Sequence, residues 1–158
     1  MVIPTGNPYM RDAAPVASAD HRLEMCSLAL DDLPDALQEK TMVLDIETRR
    51  KGTTYSIETL HQLRAFFPKD NFTLILGSDS AATFPKWQRA DDIKKQAKIL
   101  VIKRPGAATS EFEEINVKAL DISATAVRAA LSSGKGASQY LSPSVAKYIK
   151  ERGLYVSK

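Results

Sequence analysis

Phe72-Thr-Leu-Ile-Leu-Gly-Ser-Asp79 is a short apolar run that ends on a glycine, a hydroxyl and a carboxylate. A run of this kind suits a strand buried on both faces, and such strands belong to parallel sheets. Its polar end is the place where open α/β sheets put their ligands, and Gly77 lets another molecule come close to the backbone. Working outward, a short helix around residues 91–96 leads to a second apolar strand, Ile99-Leu-Val-Ile102, which ends in Lys103-Arg-Pro-Gly106. Upstream, Ile57, Leu60, Leu63 and Phe67 recur at helical spacing, with Thr54 or Ser56 as the expected cap and Pro68 as the stop.

The same alternation continues toward the start. Met42, Val43, Leu44 and Ile46 mark a strand over residues 41–47, followed by the basic turn Arg49-Arg-Lys-Gly52. A helix is expected from Ser18, with Leu23, Cys26 and Leu30 on one face and Met25 and Ala29 beside it, ending at Asp31-Asp-Leu-Pro34. Residues 2–4 read as the end of a buried strand, and Thr5-Gly-Asn-Pro8 turns the chain into a loop through Pro15. Residues 107–118 are polar and irregular, with residues 115–120 partly extended. Apolar strands alternating with amphipathic helices predict an α/β fold, a doubly wound parallel sheet with helices on both faces. No repeat and no second domain are visible, so residues 1–158 are read as one domain.

Composition narrows the function classes. The chain has 22 basic and 19 acidic residues, a formal charge of +3 spread without a basic block, which gives no argument for nucleic acid or a membrane surface. No apolar run approaches the roughly 20 residues needed to span a bilayer, and the first residues carry no leader pattern, so a cytoplasmic setting is expected. Cys26 is the one cysteine, read as a small buried hydrophobe, and neither a disulfide framework nor a metal cluster is expected.

Asp121-Ile-Ser-Ala-Thr-Ala-Val-Arg128 sets two hydroxyls and a guanidinium around the first turn of a predicted helix. Free backbone N–H groups there carry partial positive charge, and Ser123, Thr125 and Arg128 can add donors, a combination that suits phosphate. The other reading is capping by Ser123 or Thr125, with Val127 and Leu131 toward the core and Arg128 in water.

That octet and Tyr140-Leu-Ser-Pro-Ser-Val-Ala-Lys-Tyr-Ile-Lys-Glu-Arg-Gly-Leu-Tyr155 stand in order behind Val2-Ile-Pro-Thr-Gly6, His21-Arg-Leu-Glu-Met25, Gly52-Thr-Thr-Tyr-Ser-Ile-Glu-Thr-Leu60, Leu76-Gly-Ser-Asp79, Pro85-Lys-Trp87 and Lys103-Arg-Pro-Gly106. In this order and spacing the chain resembles the bacterial nicotinate mononucleotide adenylyltransferases almost end to end. Members of that family open with a strand, a glycine-rich turn and a helix beginning His-x-Gly-His. Only His21 and His61 occur here, neither in such a motif. The resemblance therefore implies a Rossmann-like fold lacking its first strand and helix, an N-terminally incomplete domain with no catalytic histidine assigned and no activity expected of these residues alone.

The implied reaction is attack of the 5′-phosphate of nicotinate mononucleotide on the α-phosphorus of ATP. Such a transfer rests on holding two anions in line and stabilising charge on the central phosphate. By the resemblance, Gly77, Asp79, Ser123, Thr125 and Arg128 bind ATP, with Asp79 approaching ribose hydroxyls. Asp79 could equally be an N-cap for the helix that follows it. Trp87, the chain's one tryptophan, stacks on the pyridine ring in this reading; the alternative is packing at the sheet edge. Thr54 and Tyr55 close over the same ring, and Arg11 reaches a phosphate. His21 and Arg22 serve packing or loop anchoring. Magnesium enters on the triphosphate, with no metal motif of the protein's own. ATP and nicotinate mononucleotide are the expected partners, with a homo-oligomer left open. The competing functions are a non-catalytic nucleotide-binding remnant and a related nucleotidyltransferase acting on another phosphorylated acceptor such as pantetheine phosphate.

Overall fold

The computed structural model describes residues 1–10, 14–104, 108–115, 117 and 122–156. In chain order the elements are β1 (Asn7–Pro8), α1 (Ala19–Asp31), α2 (Asp35–Gln38), β2 (Thr53–Thr54), α3 (Ser56–Phe66), β3 (Phe72–Gly77), α4 (Ser78–Thr83), α5 (Ala90–Gln96), β4 (Ala97–Ile102), β5 (Glu113–Ile115), α6 (Ala124–Ser132) and α7 (Pro143–Glu151). Two compact units contain them, Met1–Thr54 with Ile122–Lys158, and Tyr55–Asp121.

In the Tyr55–Asp121 unit, β3, β4 and β5 lie side by side in that order, all parallel. Strand β4 alternates buried Ala97, Ile99 and Val101 with more exposed residues, and these three join Ile57 and Leu60 of α3, Ile93 of α5 and Phe84 in one core. Phe84 and Ile93 are fully buried. Strands β3 and β4, parallel and joined through α4 and α5, give the expected Rossmann-like α/β arrangement. Strand β4 begins two residues before the predicted start at Ile99, because Ala97 and Lys98 continue the register opposite Phe72 and Thr73. Strand β5 falls inside the stretch predicted to be irregular; Glu113, Glu114 and Ile115 form a strand by pairing with β4, a tertiary cause that local pattern does not carry. Among the described residues β3 has a neighbour on one edge only, and Ile75 on it is 59% exposed.

The other unit is built differently. Helix α1 starts where expected: the Ser18 hydroxyl accepts from the His21 N–H at 3.2 Å. Its apolar face is half-buried rather than buried, Cys26 included, and burial pushes the Cys26 thiol up while the nearby Arg22 charge pulls it down. The tie between α1 and α7 is polar. Asp32, at the end of α1, accepts from the Ser144 N–H at 2.9 Å and its hydroxyl at 2.7 Å, capping α7 from a distance in sequence. His21 Nδ1 and the Tyr148 hydroxyl meet at 2.8 Å.

Two expectations at the start of the chain are corrected. The strand predicted over residues 41–47 shrinks to one parallel bridge between Val2 and Val43, since the chain turns at once and the Arg49 N–H returns to the Asp45 carbonyl at 3.0 Å. Within the predicted turn, Asn7 and Pro8 instead pair in parallel with Thr53 and Thr54. Gly6 makes this pairing feasible: a Cβ there would stand 2.2 Å from the Glu47 carbonyl oxygen and 2.7 Å from Thr54 Cγ2.

Candidate functional site

The carboxyl ends of β3, β4 and β5 form one polar edge, with Gly77 opposite Ile102 and Ile102 opposite Ile115. Ser78, 8% exposed, fastens the first two ends: its hydroxyl donates to the Ile102 carbonyl at 3.2 Å and accepts the Arg104 N–H at 2.9 Å. Asp79 Oδ2 accepts from Arg104 Nη1 at 3.0 Å. The N-cap of α4 is Gly77, with extended backbone, and Asp79 is the second helical residue, so the capping reading of Asp79 is corrected. Its carboxylate sits instead in the first turn, where the helix dipole favours it. A Cβ on Gly77 would meet nothing within 4 Å.

Beside them, Lys103 Nζ donates to Glu114 Oε2 at 3.1 Å, and Glu114 Oε1 accepts from the Ser110 N–H at 2.6 Å. The Ser110 backbone, then Lys103, hold the Glu114 carboxyl below its usual range. A lowered carboxyl pKa contributes stability that is fully present above the unfolded value and is lost as pH falls through the folded one. Melting curves taken from about pH 6 down to pH 3 should therefore show a shallower acid loss in Glu114→Gln than in the native chain. Equal slopes would mean that the Ser110–Glu114–Lys103 link carries no such dependence.

Trp87 follows a single 3₁₀ turn, Phe84–Lys86, in which Pro85 takes an early helical position. The indole is half-buried and packs on Phe84, ring centroids 5.3 Å apart and planes inclined by 42°. Its other surroundings form an open cleft of about 480 Å³ with Pro85, Arg89, Lys94 and Glu111 among its walls. Arg89 caps α5 in the left-handed region, φ 55°, an uncommon conformation for a residue with a side chain. Tyr55 is the N-cap of α3 and Ser56 its first residue, without a side-chain cap, so neither Thr54 nor Ser56 plays the capping part expected of it.

Thr54 is 4% exposed, and its hydroxyl donates to the Asn7 carbonyl at 3.2 Å. Ser123 caps α6, accepting from the Ala126 N–H at 3.1 Å, and Arg128 Nη2 donates to the Thr125 hydroxyl at 3.2 Å. The first-turn hydroxyls and the guanidinium thus gather on one exposed turn, and the capping reading of Ser123 is realised there. Arg22 donates to the carbonyls of Thr5, Gly6 and Ala17, the loop anchoring expected of it. Arg11 and Asp121 lie outside the described residues. Gly77, Asp79 and Trp87 belong to the Tyr55–Asp121 unit, as does Tyr55; Thr54, Ser123, Thr125 and Arg128 belong to the other.

A family model described as cytidylyltransferase-like matches residues 1–130. A protein of Dehalococcoides mccartyi named "probable nicotinate-nucleotide adenylyltransferase" is 33% identical, over 97% of this chain and 80% of its own length. The chain belongs to that adenylyltransferase family. A protein of the same name from Shouchella clausii is 30% identical over 97% of this chain and 79% of its own. The fold agrees with that of the Plasmodium falciparum nicotinic acid mononucleotide adenylyltransferase complexed with NaAD, TM-score 0.77 at 20% identity over 92% of this chain and 78% of that one. The structure adds parts for Ser78 and Arg104, which stand in stretches that carry the resemblance but had no role assigned. The sequence signal for Arg104 was its place in Lys103-Arg-Pro-Gly106, close behind an apolar strand.

Proposed function

We propose that residues 1–158 belong to a single nucleotidyltransferase domain that, together with a His-x-Gly-His helix they do not contain, joins ATP and nicotinate mononucleotide in the cytoplasm. A phosphate oxygen of the mononucleotide attacks the α-phosphorus of ATP, a new P–O–P bond forms, and the bond to pyrophosphate breaks. The observation that carries this reading is identity of 33% across nearly the whole chain with an adenylyltransferase, the family match running through both units. Among the described residues no helix is long and apolar enough to cross a membrane, which is compatible with the setting.

Each group then has a task its surroundings allow. Asp79 takes ribose hydroxyls, which an exposed carboxylate at a sheet edge can accept. Open space over Gly77 admits the nucleotide against backbone. Ser123, Thr125 and Arg128 meet the triphosphate at the start of α6. Trp87 offers a ring face to the pyridine. Thr54, whose hydroxyl is engaged by Asn7, contributes through backbone, with Tyr55 beside it. Arg11 is assigned a phosphate. Magnesium would travel with the phosphates of ATP: among the described residues no three His, Cys, Asp or Glu side chains gather as a cation cage, so none is assigned to it.

Gly77→Ala tests the ATP half of this assignment. Its φ of −77° suits alanine, and the methyl meets open space, so thermal stability should hold or rise slightly. ATP affinity measured by calorimetry should fall on the order of tenfold or more, because the methyl occupies the nucleotide's place. Unchanged affinity would remove the nucleotide from this strand end.

A further inference from the structure

We infer that Arg104 is a positioning residue for the nucleotide's ribose, acting through Asp79 and held in place by Ser78. The inference rests on the reading of Asp79 as the ribose-binding carboxylate. Asp79 and Arg104 are both largely in water, with side chains 78% and 51% exposed, and an ion pair so placed adds little to stability. Yet the pair is not a chance encounter of two long side chains. The Arg104 backbone is fastened by a nearly buried hydroxyl, Ser78 Oγ, which also holds the Ile102 carbonyl, so the second residue after β4 is tied to the residue after β3. From that anchored backbone, Nη1 reaches Oδ2 of Asp79 at 3.0 Å.

The geometry divides the work of the carboxylate. Oδ2 is occupied by the guanidinium, and Oδ1 has no hydrogen-bond partner among the described residues. A carboxylate with one oxygen held by the guanidinium turns less freely, and its second oxygen is left for the ligand. Ribose hydroxyls then meet an acceptor already oriented, and less rotational freedom is lost on binding. The positive charge of Arg104 also offsets the negative charge of Asp79 at an edge where a polyanion must approach. A lysine could supply the charge but not the planar, directed contact.

The test compares ATP with 2′,3′-dideoxy-ATP, which lacks the ribose hydroxyls, by calorimetry on the native chain and on Arg104→Gln and Arg104→Lys, with melting curves to confirm that each variant is folded. The native chain is expected to prefer ATP, and Arg104→Gln to lose about tenfold in ATP affinity with almost no change for the dideoxy analogue. Arg104→Lys should recover part of that loss. In an Asp79→Asn background, Arg104→Gln should cost nothing further. Equal losses for both nucleotides would place Arg104 on the phosphates and overturn the inference, as would full ribose discrimination in Arg104→Gln. A native chain that binds the two nucleotides equally would overturn the reading of Asp79 itself.

Discussion

Trp87→Ala is expected to weaken nicotinate mononucleotide binding by about 1 to 3 kcal/mol while leaving ATP affinity nearly unchanged, because in the proposed site the indole meets the pyridine ring alone. The chain has no other tryptophan, so binding to the native protein can be followed by its own fluorescence and to the variant by calorimetry. Since one side of the indole packs on Phe84, the alanine variant should also melt at a lower temperature. Trp87→Phe separates the two roles: a phenyl ring keeps most of the packing and part of the stacking, so affinity should fall less than in the alanine variant. Equal losses for both nucleotides, or a loss of stability with both affinities intact, would leave Trp87 as a packing residue.

Gly6→Ala should damage the fold rather than the ligand contacts. The new methyl would stand 2.2 Å from the Glu47 carbonyl oxygen, and 2.7 Å from Thr54 Cγ2. Backbone cannot swing aside as the tip of a long side chain can, so either the turn at residues 46–49 or the β1–β2 pairing must move. Overpacking of this kind costs about 1 to 3 kcal/mol, and more when backbone is the obstacle. Thr54 would shift with it, so mononucleotide affinity should fall alongside the melting temperature. The contrast with Gly77→Ala is the diagnostic point. Two glycines that look alike in sequence, each after a strand-like segment, are expected to fail in opposite ways, one by instability and the other by loss of ATP. A Gly6→Ala protein as stable as the native chain would show that the approach to Glu47 is relaxed in solution.

Those two glycines also show what the sequence carries and what it does not. Strand β3 and the polar residues at its end were legible because an apolar run closed by Gly77-Ser-Asp79 has few other readings, and the start of α1 was legible from Ser18 before an amphipathic run. The β1–β2 pair was not: two residues hold no period, and Pro8 argues locally for a turn. Residues 41–47 misled for the opposite reason, since Met42, Val43, Leu44 and Ile46 have strand character while the turn that follows leaves only the Val2–Val43 bridge. Among the candidate site residues, types and positions were readable but partners were not. Nothing local tells that the Thr54 hydroxyl is taken by Asn7, that Ser78 staples two strand ends, or that Arg104 lies against Asp79, because each depends on which strands are neighbours. Trp87 packs on Phe84 only three residues away, across one 3₁₀ turn, and packing was the alternative that the sequence already offered for it.

The claim that these residues carry an adenylyl transfer between ATP and nicotinate mononucleotide is tested most directly by product. Residues 1–158 contain no His-x-Gly-His, the motif to which the resemblance assigns stabilisation of the transferring phosphate, and loss of a single donor of that kind costs on the order of 2.7 to 4 kcal/mol of transition-state stabilisation. Nicotinate adenine dinucleotide should be measured by chromatography after incubation with ATP, nicotinate mononucleotide and magnesium. One sample is the 158-residue chain, and the other is the same chain placed behind the opening strand and His-x-Gly-His helix of a family member. The account predicts dinucleotide and an equal amount of pyrophosphate from the second protein, with essentially none from the first and far less with nicotinamide mononucleotide as acceptor. A folded second protein that binds both substrates yet makes no dinucleotide would contradict it.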